Sequence, residues 1–373
     1  MKKINIYQDT VQLGLTLTDK QLITETIDHV LSSNKTRHIR MRILKKGLVT
    51  ASFIMLGVYI GVSFSNWMRN DQLVTMFATY DPSEKQVCVQ PKLNPFEGDY
   101  AKHFHSVEPI KCSDDKDWIT VSNGSVFVTP GATQIHGSIS CNITYFDRID
   151  DFKNKDLGRV ILNDSAVLLL EHDFMKVHCT AKDGNKYENV HPGIRFVPEF
   201  HRKTADIPSG LGLDVLMLGF DSLSHMTYIR KLKKTYKYFT ENLQGLVLNG
   251  YNIVGDGTPQ ALIPIFTGKT ELELPRTLQR LAKKDFVDVY PMVWKDFQKR
   301  GYITAFAEDS PHIGTFTYRM VGFKDRPTNH YMRPFQITAR EEYFNKHKQL
   351  CLGSRRRSEL FMDWVKEFYV MYD

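Results

Sequence analysis

Residues 214–219 read Asp214-Val215-Leu216-Met217-Leu218-Gly219, and this apolar run decides the fold class. A continuous apolar run predicts a strand that is buried on both faces, as the strands of parallel sheets are. Helices are predicted after it over about 227–242, 259–266, 291–300 and 358–369, and strands over 246–253 and 302–307. This alternation predicts an α/β domain over residues 210–373, with a parallel sheet and flanking helices. Ligands of such sheets bind beyond the carboxyl ends of the strands.

The preceding segment, residues 70–205, is predicted to be β-rich. Asn123-Gly124 separates two short runs of alternating apolar residues, and this dipeptide is the strongest short signal for a hairpin. Further strands are expected over 137–145 and 166–171. Residues 206–210 (Asp-Ile-Pro-Ser-Gly) read as a linker to the α/β domain.

The stretch from Gly47 to Met68 contains no charged residue and is mostly apolar. A helix of this length covers the roughly 30 Å of a bilayer's hydrocarbon core. Basic residues lie before the stretch, which predicts a single transmembrane helix over 47–68, a cytoplasmic tail over 1–46 and a lumenal or extracellular remainder, the type II topology. Gly57 and Gly61 have the GxxxG spacing with which two such helices can pack as a dimer.

The charge balance does not indicate a nucleic-acid partner. Lys and Arg number 49 against 42 Asp and Glu, for a net charge of +7. Six of the basic residues crowd in front of the apolar stretch: Lys35, Arg37, Arg40, Arg42, Lys45 and Lys46. Beside a membrane, such a cluster meets anionic lipid. With 42% hydrophobic and 24% charged residues, the composition also excludes wholesale disorder.

Sequons and cysteines agree with a lumenal location. Three N-glycosylation acceptors fall in the β-rich segment: Asn123, Asn142 and Asn163. Four cysteines there are an even number, compatible with two disulfides in three possible pairings. They are Cys88, Cys112, Cys141 and Cys179, and Cys351 is expected to remain unpaired.

Two polar residues lie just after predicted strands, where the ligands of parallel sheets bind. Asp221 follows the first strand and can present a carboxylate to a cation, or simply cap the next turn. Thr258 precedes Pro259 in Gly255-Asp256-Gly257-Thr258-Pro259, so its hydroxyl stands at a helix N-terminus. Backbone amides there favour an oxyanion such as a phosphate or sulfate ester, although helix capping alone explains a threonine at this position.

The order strand, Asp221, helix, strand, Gly-Asp-Gly-Thr258-Pro259 and then Phe266-Thr267-Gly268 resembles the first half of the alkaline-phosphatase-like superfamily, which includes the sulfatases. Residues 215–224 and 251–262 resemble more closely a family of uncharacterised nematode and insect membrane-anchored proteins with that core, a domain of unknown function. The resemblance covers roughly residues 75–373. It implies a partial alkaline-phosphatase-like sheet, because the chain ends before the late strands of that fold.

By this resemblance, Asp221 would be a metal ligand, and Thr258 both the nucleophile and a metal-facing oxygen. A divalent metal, zinc or calcium, would be the cofactor if the site is completed. Sulfatases need a Cys or Ser nucleophile with Arg four residues later, whereas Leu262 occupies that position here. The threonine resembles instead the nucleophile of the phosphoethanolamine transferases and phosphodiesterases. The late metal ligands usually include an Asp-His-Gly motif, and no Asp-His dipeptide occurs after His225.

Four further residues are candidates for the same pocket: Asp256, Gly257, Glu308 and Asp309. The expected function is therefore a metal-dependent phosphate- or sulfate-ester hydrolase or transferase on a membrane-anchored ectodomain. Because the late ligands are missing, the alternative is a non-catalytic ectodomain that binds an extracellular ligand or partner.

Overall fold

The computed structural model of the chain describes residues 93–105, 107–200, 213–343 and 350–372. The predicted cytoplasmic tail, the apolar stretch 47–68, Cys88 and the linker 206–210 lie outside these residues. Among the helices described, none has the length and apolar character needed to cross a membrane. The described part is a mixed α/β fold with several sheets and helices.

The Asn123-Gly124 hairpin forms as the sequence predicts. Strand β1 (Ile119–Ser122) pairs antiparallel with β2 (Ser125–Val128) through a two-residue turn. Both turn residues have positive φ, 49° at Asn123 and 65° at Gly124, as the favoured hairpin turn requires. The later strand β5 (Val167–Leu169) adds to the outer edge of β2.

A four-stranded antiparallel sheet forms the rest of the β-rich region. Its strands are β3 (Ile139–Arg148), β4 (Asn154–Asn163), β6 (Phe174–Ala181) and β7 (Lys186–Pro192), in the order β4-β3-β6-β7. Along β3, Ile139, Cys141 and Ile143 are buried while Ser140 and Asn142 are exposed, so one face packs on a core and the other meets solvent. Helix α1 (Pro130–His136) joins the two sheets, and the Thr129 hydroxyl caps its first turn.

All four helical regions predicted downstream contain helices, and a further helix over Arg333–Thr338 was not predicted. The helices are α2 (His225–Lys231), α3 (Lys233–Lys237), α4 (Thr258–Thr267), α5 (Val293–Lys299), α6 (Arg333–Thr338) and α7 (Arg357–Tyr372). Helix α4 follows from its local sequence: Pro259 is tolerated at the start, and Gly268 ends the helix with a φ of 69°.

The predicted parallel sheet is not observed in the described residues. Residues 213–220 and 251–253 belong to no strand or helix. Val215 and Met217 remain 56% and 54% exposed, and residues 215–219 make no backbone hydrogen bond to another described residue. The prediction of strands over 214–219 and 246–253 was wrong here, because an apolar run becomes a strand only when a neighbouring strand pairs with it. The short pair β8 (Ala305–Phe306) and β9 (His330–Tyr331) is the parallel ladder that the described residues do form.

Two disulfides correct the predicted cysteine assignment. Cys141 pairs with Cys179, its direct neighbour across β3 and β6. Cys112 pairs with Cys351, at a Cα–Cα distance of 5.5 Å, so the expectation that Cys351 is unpaired was wrong. The pairing follows from the hairpin of β10 (Cys351–Leu352) and β11 (Arg355–Arg356), whose Gly353 carbonyl accepts a hydrogen bond of 3.2 Å from the Ser113 amide.

Helix α7 packs against both the β-rich region and the residues that follow this region in the chain. The described residues from Asn94 onward form one compact unit. The Trp364 indole is buried in a core with Phe174 and Phe335, and its Nε1 donates a hydrogen bond of 3.1 Å to the Gly193 carbonyl. At the hairpin turn, the Asn123 amide donates to the Glu367 carboxylate at 2.8 Å.

Candidate functional site

Thr258 is the first residue of helix α4 and is half-buried. Gly257 precedes the helix with a φ of 107° and a ψ of 158°, a conformation that glycine alone adopts readily. No side chain caps the helix, and the amides of Thr258 and Gln260 have no acceptor among the described residues. The start of α4 therefore offers a hydroxyl together with open N–H groups, the combination that binds an anion.

Arg319 lies against this helix start. A Cβ added at Gly257 would be 2.7 Å from Nη2 of Arg319, so only a glycine lets the guanidinium come this close. Nη2 of Arg319 donates a hydrogen bond to Oε1 of Gln260, in the first turn of the helix. No carboxylate in the described part of the chain forms an ion pair with Arg319. A positive charge thus adds to the partial positive charge of the helix terminus beside Thr258.

A cavity of about 380 Å³ opens next to Arg319. It lies between the first turn of α4, a short 3₁₀ turn (Glu271–Glu273) and the antiparallel bridge from Leu278 to Met320. The residues that line it are Gln260, Glu271, Leu272, Leu278, Gln279, Arg280, Tyr318 and Arg319. The sequence analysis missed this cavity, because its two sides come from segments far apart in the chain and no motif connects them.

Two of the acidic candidates, Asp221 and Asp256, are exposed. Asp221 is exposed, in a turn where Ser222 has a φ of 56°, and no hydrogen bond joins Asp221 to Thr258. Asp256 is likewise exposed and is near Thr258 only because the two are close in the chain. Within the described ranges, no three His, Cys, Asp or Glu residues are grouped so that they could hold a metal ion.

Glu308 and Asp309 follow strand β8, as predicted, but their contacts lie elsewhere than Thr258. The Glu308 carboxylate accepts a hydrogen bond of 2.8 Å from the Thr315 amide and another from its hydroxyl. Burial raises the pKa of the Glu308 carboxyl, and the two Thr315 hydrogen bonds and the nearby Arg333 offset part of that rise. These contacts explain Glu308 as a residue that fixes the loop after β8.

Residues 105–373 match the family described as "Protein of unknown function (DUF229)". The chain belongs to this family. Neither the curated proteins nor the solved structures contain a match to the chain. The DUF229 region includes the β-rich sheets, helix α4 with its arginine, and helix α7, so these elements are parts of one family unit.

His330, in the DUF229 region, reads from the sequence as a surface or loop histidine, but it is buried in the structure. His330 is 1% exposed, and its Nδ1 lies 2.8 Å from the Asp173 carboxylate and its Nε2 2.8 Å from the Tyr372 hydroxyl. Burial favours a raised pKa for Asp173, but the charge and hydrogen bond of His330 outweigh it and lower the pKa. Burial raises the pKa of Tyr372 to about 12. This group fastens the end of α7 to the β-rich region, with His330 and Asp173 buried and Tyr372 half-buried.

Proposed function

We propose that this DUF229 chain binds a phosphate or sulfate ester at the start of α4 and transfers the ester's phosphoryl or sulfuryl group through Thr258. The observation that carries the proposal is the convergence of three features at one point: the Thr258 hydroxyl, open helix amides and the Arg319 guanidinium. An ester oxyanion held by the amides and Arg319 would have its phosphorus or sulfur next to the Thr258 oxygen. Such fixed donors stabilise the negative charge that develops during group transfer.

The proposed step is balanced in atoms and charge, and Thr258 supplies both the attacking oxygen and the proton. The Thr258 oxygen forms a bond to phosphorus while the bond from phosphorus to the leaving oxygen breaks. The hydroxyl proton of Thr258 ends on the leaving alcohol, directly or through water. Water then attacks the phosphothreonine in a hydrolase, or a second alcohol attacks it in a transferase.

A divalent metal does not fit the described residues as they stand. Asp221 and Thr258 supply two oxygens, whereas catalytic zinc is commonly held by at least three protein ligands. Metal analysis of the purified full chain tests this point, and stoichiometric zinc or calcium would mean that ligands from outside the described residues complete the superfamily's metal site.

A lumenal location for the DUF229 region, with residues 47–68 anchored in membrane lipid, is part of the same proposal. In support, the side chains of Asn123, Asn142 and Asn163 are exposed, and Asn142 and Asn163 lie on the open face of the four-stranded sheet. The two disulfides suit an oxidising compartment. Treatment with a glycosidase should shift the protein's mobility on a gel, and replacing all three asparagines by glutamine should abolish the shift. An unchanged mobility of the native protein would contradict the location.

Turnover of an aryl phosphate or phosphodiester by the full chain tests the proposed chemistry. Thr258→Ala should abolish turnover. Thr267→Ala is a matched control, because it also removes a threonine hydroxyl, at the other end of α4. There Thr267 donates to the Ile263 carbonyl at 2.8 Å. Equal turnover by the wild type and Thr258→Ala would remove Thr258 from the reaction.

A second candidate is a non-catalytic ectodomain that binds an extracellular partner. The observation that favours it is the exposure of large apolar side chains between α3 and α4, with Leu246 and Leu248 exposed to 81% and 66% and Ile253 to 65%. Contiguous exposed apolar surface often marks a site of protein interaction. Substituting Leu246 and Leu248 by serine should then weaken partner capture while Thr258→Ala leaves it unchanged.

A further inference from the structure

The cavity beside Arg319 is connected to Thr258 but distinct from it. Gln260 and Arg319 belong both to the cavity wall and to the surroundings of the α4 start, whereas Thr258 itself is not in the wall. A volume of about 380 Å³ is at the small end of ligand sites, which typically measure about 300–1,000 Å³. A cavity of this size admits a single ring with its substituents.

The charges in the wall are unbalanced. Arg280 and Arg319 contribute two guanidinium groups, and Glu271 contributes the one carboxylate of the wall. That carboxylate accepts a hydrogen bond from Nε2 of Gln260, and no ion pair to either arginine occurs among the described residues. A guanidinium without a carboxylate partner favours a planar anion, which it can bind with two parallel hydrogen bonds.

Apart from Gln260 and Gln279, the uncharged wall residues are aromatic or apolar: Tyr318, Leu272 and Leu278. Tyr318 is 63% exposed and Leu272 is 97% exposed, although both carry large apolar surfaces. Exposed side chains of this kind at a cavity are expected to cover an apolar part of a ligand, and a tyrosine ring stacks well on another ring.

We infer that this cavity is the specificity pocket for the organic part of the ester: a single ring that carries an anionic group. The ring lies against Tyr318 and Leu272, the anionic group meets Arg280, and Arg319 stands between the ring and the ester group at the start of α4. This inference rests on the proposed function of Thr258, since it concerns which ester that residue meets.

Calorimetric titration of the full-length Thr258→Ala protein, purified in detergent, tests the pocket without interference from turnover. The probes are phenyl phosphate and para-carboxyphenyl phosphate, which differ only in the anionic group on the ring. The carboxylated ester should bind about tenfold more tightly, as expected for one added hydrogen-bonded charge pair at a partly exposed site.

Three variants of that protein separate the contributions. Arg280→Gln should remove the preference for the carboxylated ester and leave phenyl phosphate unaffected. Tyr318→Ala should weaken both esters alike. Lys283→Gln, which removes an exposed positive charge that is near in sequence and not in the wall, should change neither. Arg280 and Tyr318 are exposed, and circular dichroism checks that their variants keep the fold.

The outcomes distinguish the pocket from the proposed function. Equal affinities for the two esters, no binding of either, or an equal effect of Lys283→Gln and Arg280→Gln would overturn the pocket. If the preference and its loss in Arg280→Gln are found but the wild-type protein turns over neither ester, the pocket stands and the group-transfer function fails.

Discussion

Replacing Gly257 by alanine perturbs the candidate site where Arg319 lies against the backbone. The new Cβ would lie 2.7 Å from Nη2 of Arg319, so the guanidinium must shift away from its position at the start of α4. The backbone at Gly257 has φ 107° and ψ 158°, a conformation that residues other than glycine avoid. Such strain costs about 1–3 kcal/mol of folding free energy.

The effect on anion binding follows from the displaced charge. A hydrogen bond to a charged group contributes about 1.5–3 kcal/mol, and the lower end applies because Arg319 is half-exposed. We therefore expect inorganic phosphate to bind about tenfold more weakly to Gly257→Ala, since about 1.4 kcal/mol corresponds to a factor of ten. Arg319→Gln should weaken phosphate binding similarly, but without the backbone strain.

The assay combines calorimetric titration with phosphate and urea unfolding followed by tryptophan fluorescence. Gly268→Ala is the control, because Gly268 ends the same helix with a φ of 69° and an added Cβ there would touch nothing within 4 Å. It should lose about 1–2 kcal/mol of stability and bind phosphate like the wild type. If Gly257→Ala keeps wild-type phosphate affinity, Arg319 and the start of α4 do not form an anion site.

Other parts of the structure give further predictions. Burial lowers the pKa of His191 from 6.5 to about 4. Between these pH values the imidazole is protonated in the unfolded chain but not in the folded one, so the free energy of unfolding should fall by about 3 kcal/mol from pH 6.5 to pH 4. In His191→Phe, unfolding midpoints measured across this range should vary less with pH, and an unchanged slope would contradict the buried neutral histidine. Removing the bond between Cys112 and Cys351, which closes a loop of 239 residues, should lower the stability by about 2–5 kcal/mol in urea unfolding. Peptide mapping without reduction should find these two cysteines linked, and a link from Cys112 to a different cysteine would refute the pairing. Trp364→Phe should cost about 1–3 kcal/mol, because it leaves the Gly193 carbonyl without its donor, and an unaltered unfolding midpoint would argue against that hydrogen bond.

The sequence predicted well the elements that depend on local interactions. The turn at Asn123-Gly124 forms because those two residues tolerate positive φ, and α4 begins and ends at its proline and glycine signals. A strand forms only when a neighbouring strand pairs with it, and the local sequence does not show which segment that is. Residues 214–219 have the apolar run of a buried strand, yet Val215 and Met217 are exposed in the described structure because no strand covers them.

The candidate site was predicted in the same uneven way. Thr258 and Gly257 are candidates because they lie at the start of a helix, and the sequence predicts that start from local residues. Arg319 and the cavity depend on a contact between segments distant in the chain, so no spacing or motif pointed to them. The cysteine assignment was wrong for a related reason. The even number of cysteines in the β-rich segment did not show that one of them pairs with Cys351, far away in the chain.

The most direct test of the account is a search for the covalent intermediate on Thr258. The full chain is mixed with an aryl phosphate or phosphodiester, quenched in acid and digested, and its peptides are mapped by mass spectrometry. We expect a phosphoryl group on Thr258, and none on the corresponding peptide of Thr258→Ala. Turnover of the ester with an unmodified Thr258, or with the phosphoryl group on another residue, would contradict it.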